Sequence, residues 1–401
     1  MDRIYQTLIT EHYNEYTQML FLGGPRQVGK TTISLQTKKL SAHFYYLNWD
    51  VIKDREIITQ GAHRVAEYAK LEKLSDSKPI IVFDEIHKFS RWKNFIKGFF
   101  DLYKNKAFII VTGSSKLDVF RKGGDSLMGR YFLYRIHPLS VAEYLHQKIN
   151  HEIQPPQKIP EKSWQALLQF GGFPEPLLRA QPRFSTRWHH MRMQQLFRED
   201  IRDLSRVQEL GQIELLATLL RNFATQRIVY SNLANKINAS VDSIRRWIKI
   251  LESFYYCFML KPWTKNISRS LLKEPKVFLW DWSEIKDIGA RTENFIASHL
   301  LKAVQFWTDS GLGKYDLYFI RDKNQREVDF IVTKNEEPWF LVEVKHSSEA
   351  KLSPYLAYFQ AQTKASHAFQ VALNMDYVNK NCFEIHTPVI IPAKTFLSQL
   401  V

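Results

Sequence analysis

Cysteine is almost missing from this chain: Cys257 and Cys382 are the only two in 401 residues. They stand too far apart for a zinc spacing and are too few for a disulfide framework, which excludes the small secreted scaffolds and fits a reducing compartment. Long apolar runs are missing as well. No stretch approaches the ~20 residues needed to span a bilayer, and the opening Met1-Asp2-Arg3-Ile4-Tyr5 has no signal-peptide core. A cytoplasmic protein with no membrane segment is expected. The third shortage is of negative charge. Asp and Glu number 41 against 56 Lys and Arg, a surplus of +15. That balance favours polyanionic partners, nucleic acid first, although charge alone gives no specificity. Apolar content of 45% and a length of 401 residues allow two to four ordinary globular domains.

What is present is concentrated in short motifs. Gly24-Pro25-Arg26-Gln27-Val28-Gly29-Lys30-Thr31 is a complete G-x-x-x-x-G-K-T phosphate loop. Its backbone N–H groups turn toward a phosphate chain, Lys30 reaches the β- and γ-phosphates, and Thr31 offers a hydroxyl to Mg²⁺. The apolar Met19-Leu20-Phe21-Leu22 before it reads as a buried strand. Thr32 to Lys39 after it reads as a helix, with Ile33 and Leu35 available to pack and Thr32 at the phosphate end. ATP and Mg²⁺ are the expected ligands.

Fifty-three residues beyond Thr31, Pro79-Ile80-Ile81-Val82-Phe83 is a second buried strand, and it ends in Asp84-Glu85. Asp84 emerges at a strand's carboxyl end, where α/β sheets place ligands, and is assigned to Mg²⁺. Glu85 can polarise a water against the γ-phosphate, which points to hydrolysis. A third strand, Phe108 to Val111, ends in Thr112-Gly113-Ser114-Ser115. The hydroxyls of Thr112 and Ser114 are candidates to contact the γ-phosphate or the attacking water. Arg130, and second to it Arg121, are candidates to supply transition-state charge in cis or to a neighbouring subunit.

Gly-Gly-Pro-Arg-Gln-Val-Gly-Lys-Thr, Phe-Asp-Glu-Ile-His-Lys, Val-Thr-Gly-Ser-Ser, Gly129-Arg130 and His137-Pro138-Leu139-Ser140, in that order, resemble the prokaryotic AAA+-type ATPases that carry a restriction-endonuclease-like C-terminal domain. Thr112 and Ser114 stand where many AAA+ members have Asn at the first sensor. The resemblance implies an α/β protein: a P-loop AAA+-type parallel sheet over residues 1–137, a helical lid or linker over 138–205, a winged helix over 206–265 and a nuclease-like α/β domain over 266–401. It also implies DNA as partner, and an acting Arg130 implies a homo-oligomer.

The later segments also have their own signals. Pro155-Pro156, Pro160 and Phe170-Gly171-Gly172-Phe173-Pro174 mark a loop and a rigid turn. Arg198, Arg202 and Arg206 recur along one helix face, an ion-paired surface or a contact face. Ser231 is placed as the cap of a helix ending at Ile237, Asn238-Ala239 as a turn, and Ser240 as the cap of a second helix from Val241 to Glu252. Ile244, Ile248 and Leu251 share one face of the second helix. Arg245, Arg246 and Lys249 lie elsewhere on it, as a DNA-recognition helix requires; a structural role is the alternative.

Two strands, Arg326 to Val332 and Trp339 to Lys345, flank a loop expected over Lys334 to Pro338. Centring the hairpin on residue 336 sets Asp329 opposite Glu343, with Lys345 on the same face. Opposed carboxylates repel, so a cation is expected between them, Mg²⁺ or Mn²⁺. The set resembles a PD-(D/E)xK nuclease site with Val328 in place of Pro. The resemblance adds Glu293 as a third metal ligand beside Asp329 and Glu343, with Glu343 and Lys345 in catalytic roles. Three readings stay open: an ATP-dependent DNA-processing enzyme that cuts, an ATP-gated oligomeric switch, and a motor whose nuclease-like domain only binds DNA.

Overall fold

The computed structural model describes residues 3–113, 127–146, 149, 151–202, 209–264 and 274–401. The chain divides into two units, Met1–His137 and Pro138–Val401.

The first unit is built on five strands: β1 (Met19–Gly23), β2 (Phe44–Asn48), β3 (Ile80–Asp84), β4 (Phe108–Gly113) and β5 (Tyr131–Arg135). Every pairing is parallel, in the order β2-β3-β4-β1-β5. β1, β3 and β4 are buried along their whole length, as strands covered on both faces must be. The helix Trp92–Tyr103 covers one face, burying Trp92, Ile96, Phe99, Phe100 and Tyr103 at helical spacing against Phe21, Phe83 and Val111. The helix Tyr5–Glu15 lies on the other, with the His12 ring among Phe108, Phe132 and Tyr134. After the phosphate loop the α-helix is Lys30–Gln36, closed by one 3₁₀ turn. Ile33 packs as expected, but Leu35 is exposed and Ser34 is the buried neighbour.

In the second unit, described residues between 138 and 202 bond to one another and to later segments. The Leu139 amide donates to Gly172 O at 2.7 Å, and the Trp282 indole donates to Leu167 O at 2.8 Å. The expected rigid turn has a packing reason: a Cβ at Gly172 would lie 2.5 Å from Leu139 O, and one at Gly171 would lie 2.6 Å from an Asp281 carboxylate oxygen. Of the expected arginine stripe, Arg198 lies on Leu196–Ile201, which winds as a π-helix rather than an α-helix, and Arg206 lies outside the described residues.

The helices Tyr230–Ile237 and Val241–Ser253 meet at Asn238, which takes the left-handed conformation (φ 54°). Ser240 caps the second helix by accepting from the Ser243 amide at 3.1 Å. Ser231 caps nothing: the first helix starts at Tyr230, behind Val229, with no side-chain cap. An antiparallel ladder follows, β6 (Cys257–Leu260) with β7 (Lys276–Leu279).

The helix Ile288–Asp309 then precedes β8 (Tyr315–Arg321), β9 (Glu327–Lys334) and β10 (Glu337–Ser347). The helix Pro354–Thr363 leads to β11 (His367–Asn374) and β12 (Val389–Pro392). These strands form one sheet in the order β12-β11-β10-β9-β8, antiparallel across β8-β9-β10 and parallel across β10-β11-β12.

The long helix carries a charge that its surroundings must satisfy. Lys302 is 1% exposed and pairs with Glu143, and it also donates to Ser140 Oγ at 2.9 Å and Pro138 O at 3.2 Å. Removing one partner of a buried pair strands the other charge. Lys302→Met is expected to destabilise the second unit by about 3–5 kcal/mol. Urea unfolding followed by tryptophan fluorescence checks this, and an unchanged midpoint would contradict it.

Candidate functional site

The carboxyl ends of β1, β3 and β4 converge. Asp84 pairs in register with Thr112, and Thr112 with Leu22, one residue before Gly23. The phosphate loop leaves β1 at that edge. At Gly24 (φ 154°) a Cβ would stand 2.3 Å from Ile136 O, so only glycine lets the loop pass the end of β5 in this geometry. Gly29 (φ 101°) starts the helix that carries Lys30 and Thr31. The Lys30 ammonium, largely buried, folds onto Gly24 O at 2.9 Å and Pro25 O at 2.6 Å. Arg3, just before the N-terminal helix, braces the loop and the segment after β5, and Tyr5 at the start of that helix holds the same segment. Arg3 donates to Val28 O at 2.7 Å and His137 O at 2.6 Å, and the Tyr5 hydroxyl accepts from the His137 amide at 3.1 Å.

Asp84 is 4% exposed and is held by neutral groups. Thr31 Oγ1 is 3.3 Å from one carboxylate oxygen, the Tyr46 hydroxyl donates to the same oxygen, and the Thr112 hydroxyl donates to the other. Tyr46 and the Thr112–Asp84 contact were not legible in the motif. Asp84 draws hydroxyl hydrogen bonds but no contact cation among the described residues. Hard oxygen donors from Thr31 and Asp84 fit Mg²⁺, and the loop with Lys30 fits the phosphates of a nucleotide. Gln27 Oε1, buried in the same loop, has no hydrogen-bond partner among the described residues.

Glu85 adopts φ 55°, its amide donating to Thr112 O at 3.2 Å. Burial first, and the Asp84 charge second, push its carboxyl above the usual range. His87 Nε2 is 3.6 Å and Lys88 Nζ 3.8 Å from Glu85 Oε2. Burial, reinforced by nearby cations, lowers the His87 imidazole to about 4, so it stands neutral beside Glu85.

Ser114 and Arg121 lie outside the described residues. Arg130 is at the wrong end of the sheet for action within its own subunit. Its carbonyl accepts from the Met19 amide at the start of β1, about 17 Å from the phosphate loop at ~3.3 Å per residue. Its guanidinium grips Asp101 at 2.9 and 3.1 Å.

In the second unit, Asp329, Glu343, Lys345 and Glu293 do come together, by a route that the sequence did not show. Lys334 pairs with Glu337, so the hairpin turn is only Asn335-Glu336, both at positive φ (50° and 73°). That is the type I′ turn rather than a five-residue loop. The register then slips by one between Pro338 and Phe340, leaving Trp339 as an extra residue. The shorter turn and the bulge cancel. Val342 faces Phe330, the next residues are Glu343 and Asp329, and the Val344 amide donates to Asp329 Oδ2 at 2.8 Å. Lys345 Nζ is 2.8 Å from Glu343 Oε1. Burial, then the Asp329 charge, pushes Glu343 up to about 7 and Glu293 up to about 8.

The cation beside these carboxylates belongs to the chain. Lys276 Nζ lies 2.7 Å from Glu327 Oε1, 3.0 Å from Glu293 Oε1 and 3.7 Å from Asp329 Oδ1. Burial disfavours its charge, but these carboxylates outweigh burial and raise its pKa. Lys276 thus stands beside Glu293 and Asp329, two of the residues expected to hold a divalent ion. No sequence signal marked Lys276: it opens an ordinary apolar strand.

Residues 16–145 match the family model described as an AAA domain. Residues 161–284 and 288–394 match two domains of unknown function, DUF8612 and DUF4143. An uncharacterized protein of Haemophilus influenzae is 23% identical over 340 residues, covering 79% of this chain and 80% of its own. An uncharacterized protein of Mycobacterium tuberculosis is 21% identical over 350 residues, covering 84% and 72%. Among solved structures, AMPPCP-bound DnaA from Aquifex aeolicus aligns at a TM-score of 0.30 and 12% identity, over 62% of this chain and 85% of that one. At that score the likeness carries no argument. The first unit is an AAA-type P-loop ATPase domain, on its family match and its phosphate-loop geometry.

Arg3 makes the loop's conformation testable. Arg3→Ala leaves two buried carbonyls unsatisfied, a penalty of about 1–3 kcal/mol. Affinity for a non-hydrolysable ATP analogue, read by calorimetry, is expected to fall roughly 5- to 100-fold. Wild-type affinity in the variant would contradict the bracing role.

Proposed function

We propose that this chain hydrolyses ATP and uses the cycle to act on DNA, which its second unit binds without cutting. The observation that carries the ATPase reading is the joint placement of Lys30, Thr31, Asp84 and Glu85 at one sheet edge. Gly24, Gly29, Lys30, Thr31 and Thr32 would cradle the phosphates, and Thr31 with Asp84 would hold Mg²⁺, which supplies charge neutralisation of the phosphate oxygens. Glu85 acts as the base. Its raised pKa makes it a better proton acceptor than an ordinary surface carboxylate. Thr112 fixes Asp84. An arginine contribution from Arg130 requires a second copy of the chain, so its involvement entails a homo-oligomer.

The DNA reading is supported by the helix Val241–Ser253. Its apolar residues Ile244, Trp247, Ile248 and Leu251 are buried, and Arg245, Arg246 and Lys249 are exposed. Asp242 lies 3.6 Å from Arg245 and Glu209 3.4 Å from Arg246, both on open surface where such pairs exchange readily for phosphate. Together with the following ladder this supports the reading of a winged helix. The non-cleaving reading is favoured over phosphodiester hydrolysis by Lys276 among the carboxylates.

Glu85→Gln is expected to keep ATP binding while turnover falls by about 10²–10⁴-fold; unchanged turnover would remove Glu85 from the mechanism. Replacing Arg245 and Lys249 by Ala is expected to weaken duplex DNA binding. It should also reduce the slope of log K against log salt by about 0.9 per lost phosphate contact. A slope equal to wild type would place DNA elsewhere.

A further inference from the structure

Lys276 reaches the carboxylate cluster from a different structural body. Its backbone belongs to the helix–turn–helix and its ladder: the Thr225 amide donates to Val277 O at 2.7 Å, the Ile228 amide to Pro275 O at 2.8 Å, and Arg227 bridges to Lys276 itself. Its side chain leaves that body and ends between β9 and the helix Ile288–Asp309, at 5% exposure for the whole residue. Glu293 comes from the helix, and Glu327 and Asp329 from β9. One ammonium therefore ties together two elements that share no backbone ladder with β7.

The charges around it nearly balance. Glu293, Glu327, Asp329 and Glu343 bring four carboxylates. Lys276, Lys345 and Arg321, the last 2.7 Å from Glu327 Oε2, bring three cations. A nuclease-type cluster needs an excess of carboxylate charge to recruit a divalent ion with oxygen ligands near 2.0–2.1 Å for Mg²⁺. Here three of the four carboxylate charges are matched by the chain's own lysines and arginine. An ammonium hydrogen-bonded to Glu293 and Glu327, and 3.7 Å from Asp329 Oδ1, occupies the space a second cation would need on the same atoms.

We propose that Lys276 is the built-in cation of this site, that it excludes divalent metal from Asp329 and Glu293, and that it fastens the helix–turn–helix body to the carboxylate sheet. This deepens the non-cleaving reading of the second unit, and it stands or falls on metal binding whether or not DNA is the partner.

The test is a Mn²⁺ titration followed by electron paramagnetic resonance on the full-length, nucleotide-free protein. Asp84→Asn is the background, to silence the first unit. That background is expected to show no Mn²⁺ site that depends on Asp329. Adding Lys276→Gln is expected to create one site per chain, and adding Asp329→Asn to that variant is expected to abolish it. Two results overturn the proposal: a Mn²⁺ site in the Lys276-intact background that Asp329→Asn removes, or a folded Lys276→Gln variant, with wild-type circular dichroism, that gains no Mn²⁺. If Lys276→Gln fails to fold, the first comparison decides alone, since both its proteins retain Lys276.

Discussion

A carboxylate taken out of water must be met by donors or by a cation, and the chain's two candidate sites differ in which of these they use. Asp84 is met by the hydroxyls of Thr31, Tyr46 and Thr112. Those groups satisfy its lone pairs and leave its negative charge in place. Glu293, Glu327 and Asp329 are met by the Lys276 ammonium, which cancels charge as well as filling lone pairs. The first arrangement is suited to a metal–nucleotide complex; in the second a lysine of the chain itself stands among the carboxylates. The same rule recurs at structural positions. Glu143 has Lys302, and Asp281 has Arg192 and His189, each at 3.3 Å, with the Ser283 hydroxyl at 2.6 Å.

Much of the ATP site was legible because its chemistry is local. Gly24 to Thr31 must be contiguous to wrap a phosphate, and Asp84-Glu85 must end a strand, so both appear as short strings bounded by apolar runs. The supports were not legible. Arg3, Tyr5 and Tyr46 reach the site from a helix and a strand whose sequences are unexceptional, and only the tertiary fold brings them there. Arg130 shows the converse. A Gly-Arg pair in the expected order lies at the amino end of β5, and the strand's direction carries it away from the phosphates.

The carboxylate hairpin gives a sharper lesson. A symmetric five-residue loop predicts the right partner for Asp329 from the wrong turn. The type I′ turn at Asn335-Glu336 moves the register one way and the bulge at Trp339 moves it back. Alternation along a strand survives such paired errors, whereas the cation does not follow from it. A repulsive pair of opposed carboxylates demands positive charge, but nothing in a strand pattern says whether a metal or a lysine some fifty residues upstream will supply it.

The proposed function joins two activities in one chain: a nucleotide cycle at the edge of the first sheet, and DNA binding by the exposed basic residues of the helix Val241–Ser253. Their coupling is the claim on which the account rests. The most direct test is the steady-state ATP hydrolysis rate of the wild-type protein as duplex DNA is titrated in, with the DNA recovered intact. The account predicts turnover that rises with DNA to a plateau; turnover that is indifferent to DNA at low salt would contradict it.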